Sequence, residues 1–473
     1  VYDPYAYEIH EDPYPTYRRM RDEAPVYRND ERNFWALSRH ADVMAGFRDH
    51  ERFSNAEGVS IDPAASGPHA HRTMSFLAMD APQHPRMRGL VSRGFTPRRV
   101  AGMEGDIRAL TVRHLETALA KGSFDFVADL AGKVPMDVIS ELLGVPESDR
   151  AELRRLSDLL IHREEGVTDV PPAGVEAALT LVVYYAEMIA DRRRNPGEDL
   201  ISALCAAEID GDRLTDDEIT AFLFLMVVAG NETTTKLLAH AWYWGWRFPD
   251  EAAKPFADPA RIPDWVEETL RYDTSSQMLA RVTKVPVELH GVTIPRGDRV
   301  LLLAGSANRD ERAFPDPDRF DLDRDRETAG IASFGVGRHF CMGASLARLE
   351  ARVVLEELAL RSVPVDGLAV AEQSARTVAE SVGRSKDAVA RALRQLAEAG
   401  LVERGTSRHG MSGRFGGGHY VVDLRAAGVR LPAGPVASSP AMTVAARSDL
   451  PPPPPPPHRR PLVVDDPHPS QPW

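Results

Sequence analysis

The sequence predicts a mainly α-helical protein with small β-sheets. Over the first 245 residues, apolar side chains recur every three or four positions and the repeats end at Gly or Pro, as in RRVAGMEGDIRALTVRHLETALAKG and AALTLVVYYAEMIADRRRNPGEDL. Between residues 282 and 303 the apolar period becomes two, with turn signals at 290–291 and 295–298, which predicts short antiparallel strands. A further long helix is predicted over ASLARLEARVVLEELAL.

Composition indicates a soluble protein of a reducing compartment. The 473 residues include only two cysteines, Cys205 and Cys341, which excludes a disulfide framework and fits the cytoplasm. Cys205, within ISALCAAEI, is expected to be a small core residue. The charged N-terminus lacks the apolar stretch of a signal peptide, and the longest apolar run, AFLFLMVVAG, is about half of a membrane span.

Charge and composition divide the chain into three predicted parts. The net charge of −13 is uneven, because residues 366–473 carry 13 Lys and Arg against 10 Asp and Glu, and the preceding residues are strongly acidic. This asymmetry suggests a different partner for the C-terminal part. We predict a main domain over 1–365, a small domain over 366–430, and a disordered tail over 431–473 that contains PPPPPPP.

One cysteine lies in a glycine-rich loop, SFGVGRHFCMG, directly before the last long helix. Gly335, Gly337 and Gly343 permit tight backbone turns around Cys341. Backbone N–H groups in the loop and at the start of the helix are expected to donate to a thiolate and to lower its pKa. These features are typical of a thiolate that serves as an axial metal ligand.

The side chains of the loop fit the same interpretation. Phe334 supplies a flat apolar wall, and Arg338 and His339 are expected to place cations beside the thiolate. FGVGRHFCMG matches F-G-x-G-x-H-x-C-x-G, so the chain resembles the cytochrome P450 family at its haem-binding loop. The resemblance implies that Cys341 is the iron ligand of heme b, and that Phe334, His339 and Gly343 contact this cofactor.

A second motif, AGNETT, lies in the middle of an apolar helix. An acid and an alcohol beside Gly disturb helical hydrogen bonding there, although the motif read alone also fits a solvent-facing pair. It resembles the oxygen-activation motif of the family. By that resemblance, Ala229 and Gly230 leave a groove for O₂, whereas Glu232 and Thr233 are catalytic and relay protons.

A third motif, EETLR, places Glu268 and Arg271 three residues apart on one helical face. In isolation this spacing indicates a surface ion pair worth about a few tenths of a kcal/mol. In the family, the corresponding pair is buried and supports the cysteine loop. The resemblance therefore implies a structural role for both residues.

A fourth motif, HPRMRGLVSRGFTP, carries His84 and Arg88 on one face of a predicted helix. Such cations form charge-assisted bonds to carboxylates, although each alone could be a solvated surface residue. The segment resembles the family's haem-propionate site. The resemblance implies that Arg281 and His339 complete this set.

These motifs extend the resemblance over about residues 1–360. It implies the cytochrome P450 fold and a haem-thiolate monooxygenase that inserts one oxygen atom of O₂ into an unidentified small organic substrate. Because the sequence contains no fused flavin or iron–sulfur motif, a ferredoxin and its reductase are the expected electron donors. Arginines predicted near the cysteine side could attract an acidic ferredoxin. They are Arg86, Arg93, Arg98, Arg99, Arg338, Arg348 and Arg352.

After about residue 360 the chain departs from the family, which continues there with β-structure. SARTVAESVGRSKDAVARALRQLAEAG predicts two helices separated near Gly383, and LVERGTSRHGMSGRFGGGHYVVDL predicts a β-hairpin with a basic tip. This order resembles a winged helix-turn-helix domain that could bind DNA. The candidate DNA contacts are Arg384, Lys386, Arg391, Arg394, Arg404, Arg408 and Arg414. A small protein-interaction module is the alternative.

Three interpretations follow for the whole chain. The first is a haem monooxygenase with a C-terminal appendage, and the second is a DNA-binding regulator that senses haem or a ligand. The third is a non-productive fusion with an incomplete catalytic domain, since lost β-structure would expose strand edges. Glu232 and Thr233 favour the first interpretation over the second, because a sensor does not need a proton relay.

Overall fold

The computed structural model describes residues 2–93, 95–121, 124–162, 170–327, 329–361, 369–373, 402–405 and 419–422. Within these ranges the chain is mainly α-helical with small sheets, which confirms the predicted fold class. The α-helices are α1 (Tyr7–Glu11), α2 (Tyr14–Glu23), α3 (His40–Arg48), α4 (His71–Met74), α5 (Gln83–Ser92), α6 (Pro97–Gly102), α7 (Glu104–Leu119), α8 (Val134–Leu143), α9 (Glu147–Ile161), α10 (Pro172–Arg194), α11 (Leu200–Ala206), α12 (Asp216–Arg247), α13 (Pro249–Ala257), α14 (Ile262–Tyr272), α15 (Ala304–Ala307) and α16 (Ala344–Arg361).

The strands before α16 form one five-stranded sheet and two short hairpins. They are β1 (Val26–Asn29), β2 (Phe34–Leu37), β3 (Phe53–Ser54), β4 (Glu208–Ile209), β5 (Asp212–Arg213), β6 (Leu279–Thr283), β7 (Val287–Leu289), β8 (Val292–Ile294) and β9 (Arg299–Leu302). The large sheet has the order β1-β2-β9-β6-β3, and only the pairing of β2 with β9 is parallel. The strands predicted over 282–303 are confirmed, because β7 and β8 pair antiparallel around a turn with φ of +50° at His290 and +77° at Gly291.

Helix α12 crosses the protein between two apolar clusters. It begins with a capping box. The Thr215 hydroxyl accepts from the Glu218 N–H, and the Glu218 carboxylate accepts from the Thr215 N–H. Its first half, including Phe222, packs with α8 and α10, and its second half, including Leu238, packs with α14 and α16. Between these halves Ala229 is exposed. The middle of this long helix therefore has open space beside it.

The periodic stretch that begins at Arg98 forms two helices. Helix α6 ends at Gly102 and α7 begins at Glu104, with Met103 between them. Gly102 and Gly105 flank this break. Met103 keeps a right-handed helical backbone, with φ of −79° and ψ of −8°, so the break is a local irregularity between two poor helix formers.

Three short strands are described after α16. They are β10 (Ala369–Gln373), β11 (Val402–Gly405) and β12 (His419–Val422), and they form an antiparallel sheet in the order β10-β12-β11. The predicted hairpin is thereby confirmed as β11 and β12, and β10 is an addition to it. The two predicted helices, the candidate DNA contacts and the 431–473 tail lie outside the described residues, except Arg404, which belongs to β11.

Candidate active site

The loop that carries Cys341 turns sharply before α16. Gly335 and Gly337 have φ values of +62° and +76°, in the left-handed region that favours glycine. Gly343 lies in the turn that joins the loop to α16, as expected, although its backbone is outside the left-handed region. The Cys341 N–H donates to the Phe334 carbonyl at 2.9 Å and closes the loop. Cys341 is exposed, which leaves this side chain accessible to a ligand.

The pKa of the Cys341 thiol is raised, whereas the sequence predicted that it would be lowered. Its residue is accessible, yet enough protein surrounds the sulfur that burial raises the pKa of the Cys341 thiol. The N–H groups of Gly343 and Ala344, together with the charges of Arg88 and Arg348, act in the predicted direction and lower that pKa. The net pKa is nevertheless raised, because desolvation outweighs these donors and charges.

Glu268 and Arg271 form a buried ion pair on α14. The exposed fractions are 4% and 2%, and two bonds of 2.7 and 2.8 Å join the guanidinium to both carboxylate oxygens. Arg271 also donates to the backbone carbonyls of Asn308, Pro317 and Arg319, at 3.0, 2.9 and 3.1 Å. One guanidinium thus joins α14 to two stretches of irregular chain that pack behind the cysteine loop.

Asn308 transmits this support to the loop, and sequence reasoning missed it. Its Oδ1 accepts from the Ala332 N–H at 2.7 Å, and its Nδ2 donates to the Ser333 hydroxyl at 2.8 Å. The Ser333 hydroxyl in turn donates to the Leu270 carbonyl at 2.6 Å, one residue before Arg271. The sequence did contain a signal for this role, because Asn308 directly follows the apolar run VLLLAGSA. An amide in such a place is expected to be buried and therefore to need hydrogen-bond partners.

The four residues predicted to bind propionates are drawn from three segments of the chain. The rings of His84 and His339 lie 4.0 Å apart, and His84 Nε2 and His339 Nδ1 are buried without a hydrogen-bond partner among the described residues. Arg281 is 3% exposed, and Arg88 donates to the Phe340 carbonyl at 2.6 Å. Burial lowers the pKa values of both arginines.

Burial, together with neighbouring cations, lowers the pKa values of both histidines in this cluster. Burial and then Arg88 and Arg338 lower the pKa of His84 to about 4. Burial and then His84 and Arg281 lower the pKa of His339 to about 2, so the expectation that His339 is a cation was wrong. The acidic neighbour is Asp80, which acts on His84 and Arg281. Two added carboxylates would supply the missing charge and bond the orphan ring nitrogens, so these residues fit a haem's propionates.

The depressed pKa of His84 predicts an acid-sensitive haem-free chain. The unfolded chain binds this proton near pH 6.5, whereas the folded chain binds it only near pH 4. The free energy of unfolding should therefore fall by about 2 kcal/mol between pH 7.5 and pH 5 on account of this group. Urea unfolding of His84→Gln should show a correspondingly weaker pH dependence. The exposed His69 provides the control, and an equal slope in H84Q and H69Q would contradict the prediction.

The oxygen-activation motif lies where α12 is exposed. The Thr233 hydroxyl donates to the Ala229 carbonyl at 2.7 Å, and the Thr233 carbonyl accepts from the Ser275 hydroxyl at 2.7 Å. A Cβ at Gly230 would lie 2.7 Å from Ile139 Cδ1 on α8. A side chain at position 230 would displace the end of Ile139, so Gly230 faces α8, and the exposed position of the predicted groove is Ala229.

Glu232 is held by its own helix. Its carboxylate lies 3.1 Å from the Lys236 ammonium, one turn along α12, and both side chains are substantially exposed. Lys236 and Ser275 also line an open cavity of about 1220 Å³ between the N-terminal segment and the second half of α12. No residue of the cysteine loop lines that cavity, so it is separate from the predicted haem site.

Several of the arginines predicted to attract a redox partner form ion pairs with acidic residues of this chain. Arg86 pairs with Asp212 and Glu218, and Arg348 and Arg352 pair with glutamates. Arg93, Arg98 and Arg338 are exposed. Local acidic residues neutralise part of the patch, which weakens its predicted attraction for an acidic protein.

Comparison with known proteins agrees with this site. The cytochrome P450 family model matches residues 263–361, which include Glu268, Arg271 and Cys341. A chain of Mycobacterium tuberculosis provisionally assigned as cytochrome P450 123 is 60% identical over 361 residues, 76% of this chain and 90% of that relative. Cytochrome P450 130 of the same species is 39% identical over 357 residues, 74% and 88% of the two chains.

A solved structure shows the same architecture. Cytochrome P450 CYP109Q5 from Chondromyces apiculatus matches with a TM-score of 0.69 at 36% identity, over 79% of this chain and 94% of that one. The fold, the cysteine loop with its buried supports, and close relatives matched over most of their length therefore lead to one conclusion. This chain belongs to the cytochrome P450 family, and it is a monooxygenase with heme b as its cofactor.

Proposed function

We propose that this monooxygenase inserts one oxygen atom of O₂ into a small organic substrate in the cytoplasm, with electrons from a ferredoxin and its reductase. The observation that supports the proposal best is the accessible Cys341 beside a buried cluster of basic groups whose charge is not balanced. When bound, heme b supplies the oxygen-activating chemistry, and the protein supplies orientation, protons and exclusion of water.

We assign each site residue a role. Cys341 is the iron ligand, and the loop residues Phe334 and Gly343 shape its surroundings. The propionates are bound by His84, Arg88, Arg281 and His339. Glu268 and Arg271 position the loop from behind.

On α12, Glu232 and Thr233 hold and pass protons, with Ala229 and Gly230 beside them. Glu232 is suited to this role because its side chain is 36% exposed and therefore accessible to solvent, 3.1 Å from the Lys236 ammonium. The Thr233 hydroxyl donates to Ala229 in this structure and would have to rotate to take part. The exposed Ala229 beside them supports the proposal that protons are passed at this part of α12.

The test of the proposed function is the absorption spectrum of the reduced, carbon monoxide-bound full-length protein. We expect the red-shifted Soret band that a thiolate ligand produces. An ordinary histidine- or thiol-type band, or failure to retain haem, would contradict it. That result would favour a non-productive fusion, or a regulator in which the haem domain no longer catalyses.

We expect Thr233→Val to uncouple electron use from product formation. Removing a positioned proton donor costs about 10²-fold or more in the step that it serves. Once a substrate has been found by screening with ferredoxin, product per NADH consumed should fall and peroxide release should rise. Thr233→Ser keeps the hydroxyl and should retain most of the coupling. Equal coupling in T233V and T233S would remove Thr233 from the relay.

A second proposed function is DNA binding by residues 366–430. The specific support is the antiparallel pairing of β11 with β12 at the positions predicted for a wing. Helices predicted on either side of Gly383 and the basic residues from Arg384 to Arg414 would provide the contacts. Fluorescence anisotropy of full-length protein with labelled duplex DNA tests this proposal. Salt-sensitive binding that is lost in the R391A/R394A double variant is expected, and its absence at low salt would refute DNA binding.

A further inference from the structure

Ser75 combines two features that the site described above does not explain. It ends α4 and begins the short 3₁₀ helix Ser75–Ala78. Its exposed fraction is 0%, and its Oγ has no hydrogen-bond partner among the described residues. Its backbone has φ of +47° and ψ of −137°. A buried hydroxyl without a partner and a side chain at positive φ each cost free energy.

The backbone conformation at Ser75 is one that favours glycine. The other described non-glycine residues with positive φ are Asn33, Asp210, His290 and Asp316, and these residue types are the ones most often found in the left-handed region. Serine is not among them. A φ near +60° with ψ near −120° is typical of glycine at the first central position of a type II′ turn. The turn itself therefore gives no reason for a serine hydroxyl at position 75.

Ser75 lies at the edge of the basic cluster that fits the propionates. The ring of the next residue, Phe76, is 6.0 Å from the ring of His84, and the Arg88 guanidinium lies 5.7 Å from the Phe76 centroid. Consecutive Cα atoms are only about 3.8 Å apart, so Ser75 is close to the same groups. Its Oγ thus joins His84 Nε2 and His339 Nδ1 as a buried polar atom without a partner among the described residues.

The side chains around this position need a hydrogen-bond acceptor. The guanidinium groups of Arg88 and Arg281 can only donate, and a serine hydroxyl rotates to donate wherever an acceptor is offered. The nearby carboxylate of Asp80 is engaged elsewhere, because it accepts from the Asn55 N–H at 2.9 Å. An ionised carboxylate offers about four acceptor sites and no donor. One carboxylate group can therefore accept from the Ser75 hydroxyl as well as from an arginine.

We propose that Ser75 is a further residue that binds a haem propionate, with its hydroxyl donating to a propionate oxygen. The inference rests on the propionate-binding residues proposed above and adds one that lies outside the motif HPRMRGLVSRGFTP. The hydrogen bond formed with the cofactor offsets the cost of a buried hydroxyl on a strained backbone. Ser75 is thus a positioning residue, which holds the cofactor and takes no part in proton transfer.

The rate of haem release from the full-length protein tests this role. Transfer of haem to excess apomyoglobin should be roughly 10-fold faster or more in Ser75→Ala, because a hydrogen bond to a charged group is lost. Ser157→Ala is the matched control, since Ser157 on α9 is 1% exposed and its Oγ also lacks a partner among the described residues. S157A should release haem at the unaltered rate. Equal rates in S75A and the unaltered chain would overturn the proposal.

Ser75→Gly separates the hydroxyl from the strain. The glycine removes both, so the haem-free chain should unfold at a higher urea concentration, while haem release should be as fast as in S75A. A residue that served only the turn would give the opposite result, with haem held in S75G at least as tightly as in the unaltered chain. Asp210→Gly is the control for strain, because Asp210 has φ of +54° in the turn between β4 and β5. D210G should not change haem release.

Iron protoporphyrin dimethyl ester tests whether a propionate is the partner. Esterification removes the charged acceptors, so the ester should leave S75A and the unaltered chain at similar rates. Faster release of both haem and ester from S75A would assign the hydroxyl to another group and reject the propionate. S75A should keep the thiolate band of the reduced, carbon monoxide-bound form. A missing band in the unaltered chain would contradict the proposed function, whereas the comparison of haem with ester still decides the role of Ser75.

Discussion

Replacing Arg271 with alanine is expected to abolish stable haem loading. The substitution leaves the buried Glu268 carboxylate without its cation, and it removes donors from three backbone carbonyls. Breaking a buried pair in this way typically costs about 3–5 kcal/mol. The total free energy of unfolding of a domain is only about 5–15 kcal/mol, so the loss is a large part of it.

The effect should reach the cysteine loop through Asn308. Arg271 holds the Asn308 carbonyl, and the Asn308 side chain holds Ala332 and Ser333 at the start of that loop. Without Arg271, the Asn308 carbonyl loses its hydrogen-bond donor, so the Asn308 side chain is held less firmly against the cysteine loop. Haem content and the midpoint of urea unfolding should therefore fall together.

The chain provides a matched control for this experiment. Glu152 and Arg155 have the same three-residue spacing on α9 and the same two-bond geometry, at 2.8 and 2.6 Å. This pair is on the surface, with exposed side-chain fractions of 57% and 58%. Arg155→Ala should change neither haem content nor unfolding. If R271A and R155A behaved alike, the buried pair would not be what supports the loop.

Replacing Cys341 with serine is expected to remove the thiolate spectral band completely. A serine hydroxyl stays protonated at neutral pH and offers a harder, weaker donor to iron than a thiolate sulfur. The side chains that we propose bind the propionates are unchanged, so some haem can still bind in the cluster around His84. The reduced, carbon monoxide-bound spectrum should then show only an ordinary Soret band.

Cys205→Ser is the control for the cysteine substitution. Cys205 is the second thiol of the chain, and it packs against an apolar cluster at α11. Burial raises the pKa of its thiol, as expected for a core residue that does not serve as a ligand. C205S should keep the thiolate band. Retention of that band in C341S would exclude Cys341 as the iron ligand.

Local patterns in the sequence were sufficient for much of the fold. The period of apolar residues predicted the long helices, including α10, α12 and α16, and the change of period predicted the hairpin of β7 and β8. The cysteine loop could be identified because FGVGRHFCMG matches the haem-binding motif of the family, and glycines at 335 and 337 permit the backbone turn that it needs. Such features depend on neighbours within a few residues, which the sequence displays directly.

Other properties depend on which remote segments pack together. Glu152–Arg155 and Glu268–Arg271 have the same spacing, yet only the second pair is buried, because chain from 308 to 324 covers it. His339 is neutral because burial, His84 and Arg281 lower its pKa, and residues on distant elements bring about that environment.

The sequence by itself determined the helices, the hairpin turn and the loop of Cys341. The tertiary structure alone decided which ion pair supports that loop, which histidines lose their charge, the role of Asn308, and the burial of the Ser75 hydroxyl. The physical reason is that desolvation and Coulomb interactions act through space between residues far apart in the chain. Backbone turns and helical periodicity, in contrast, are set within a few residues.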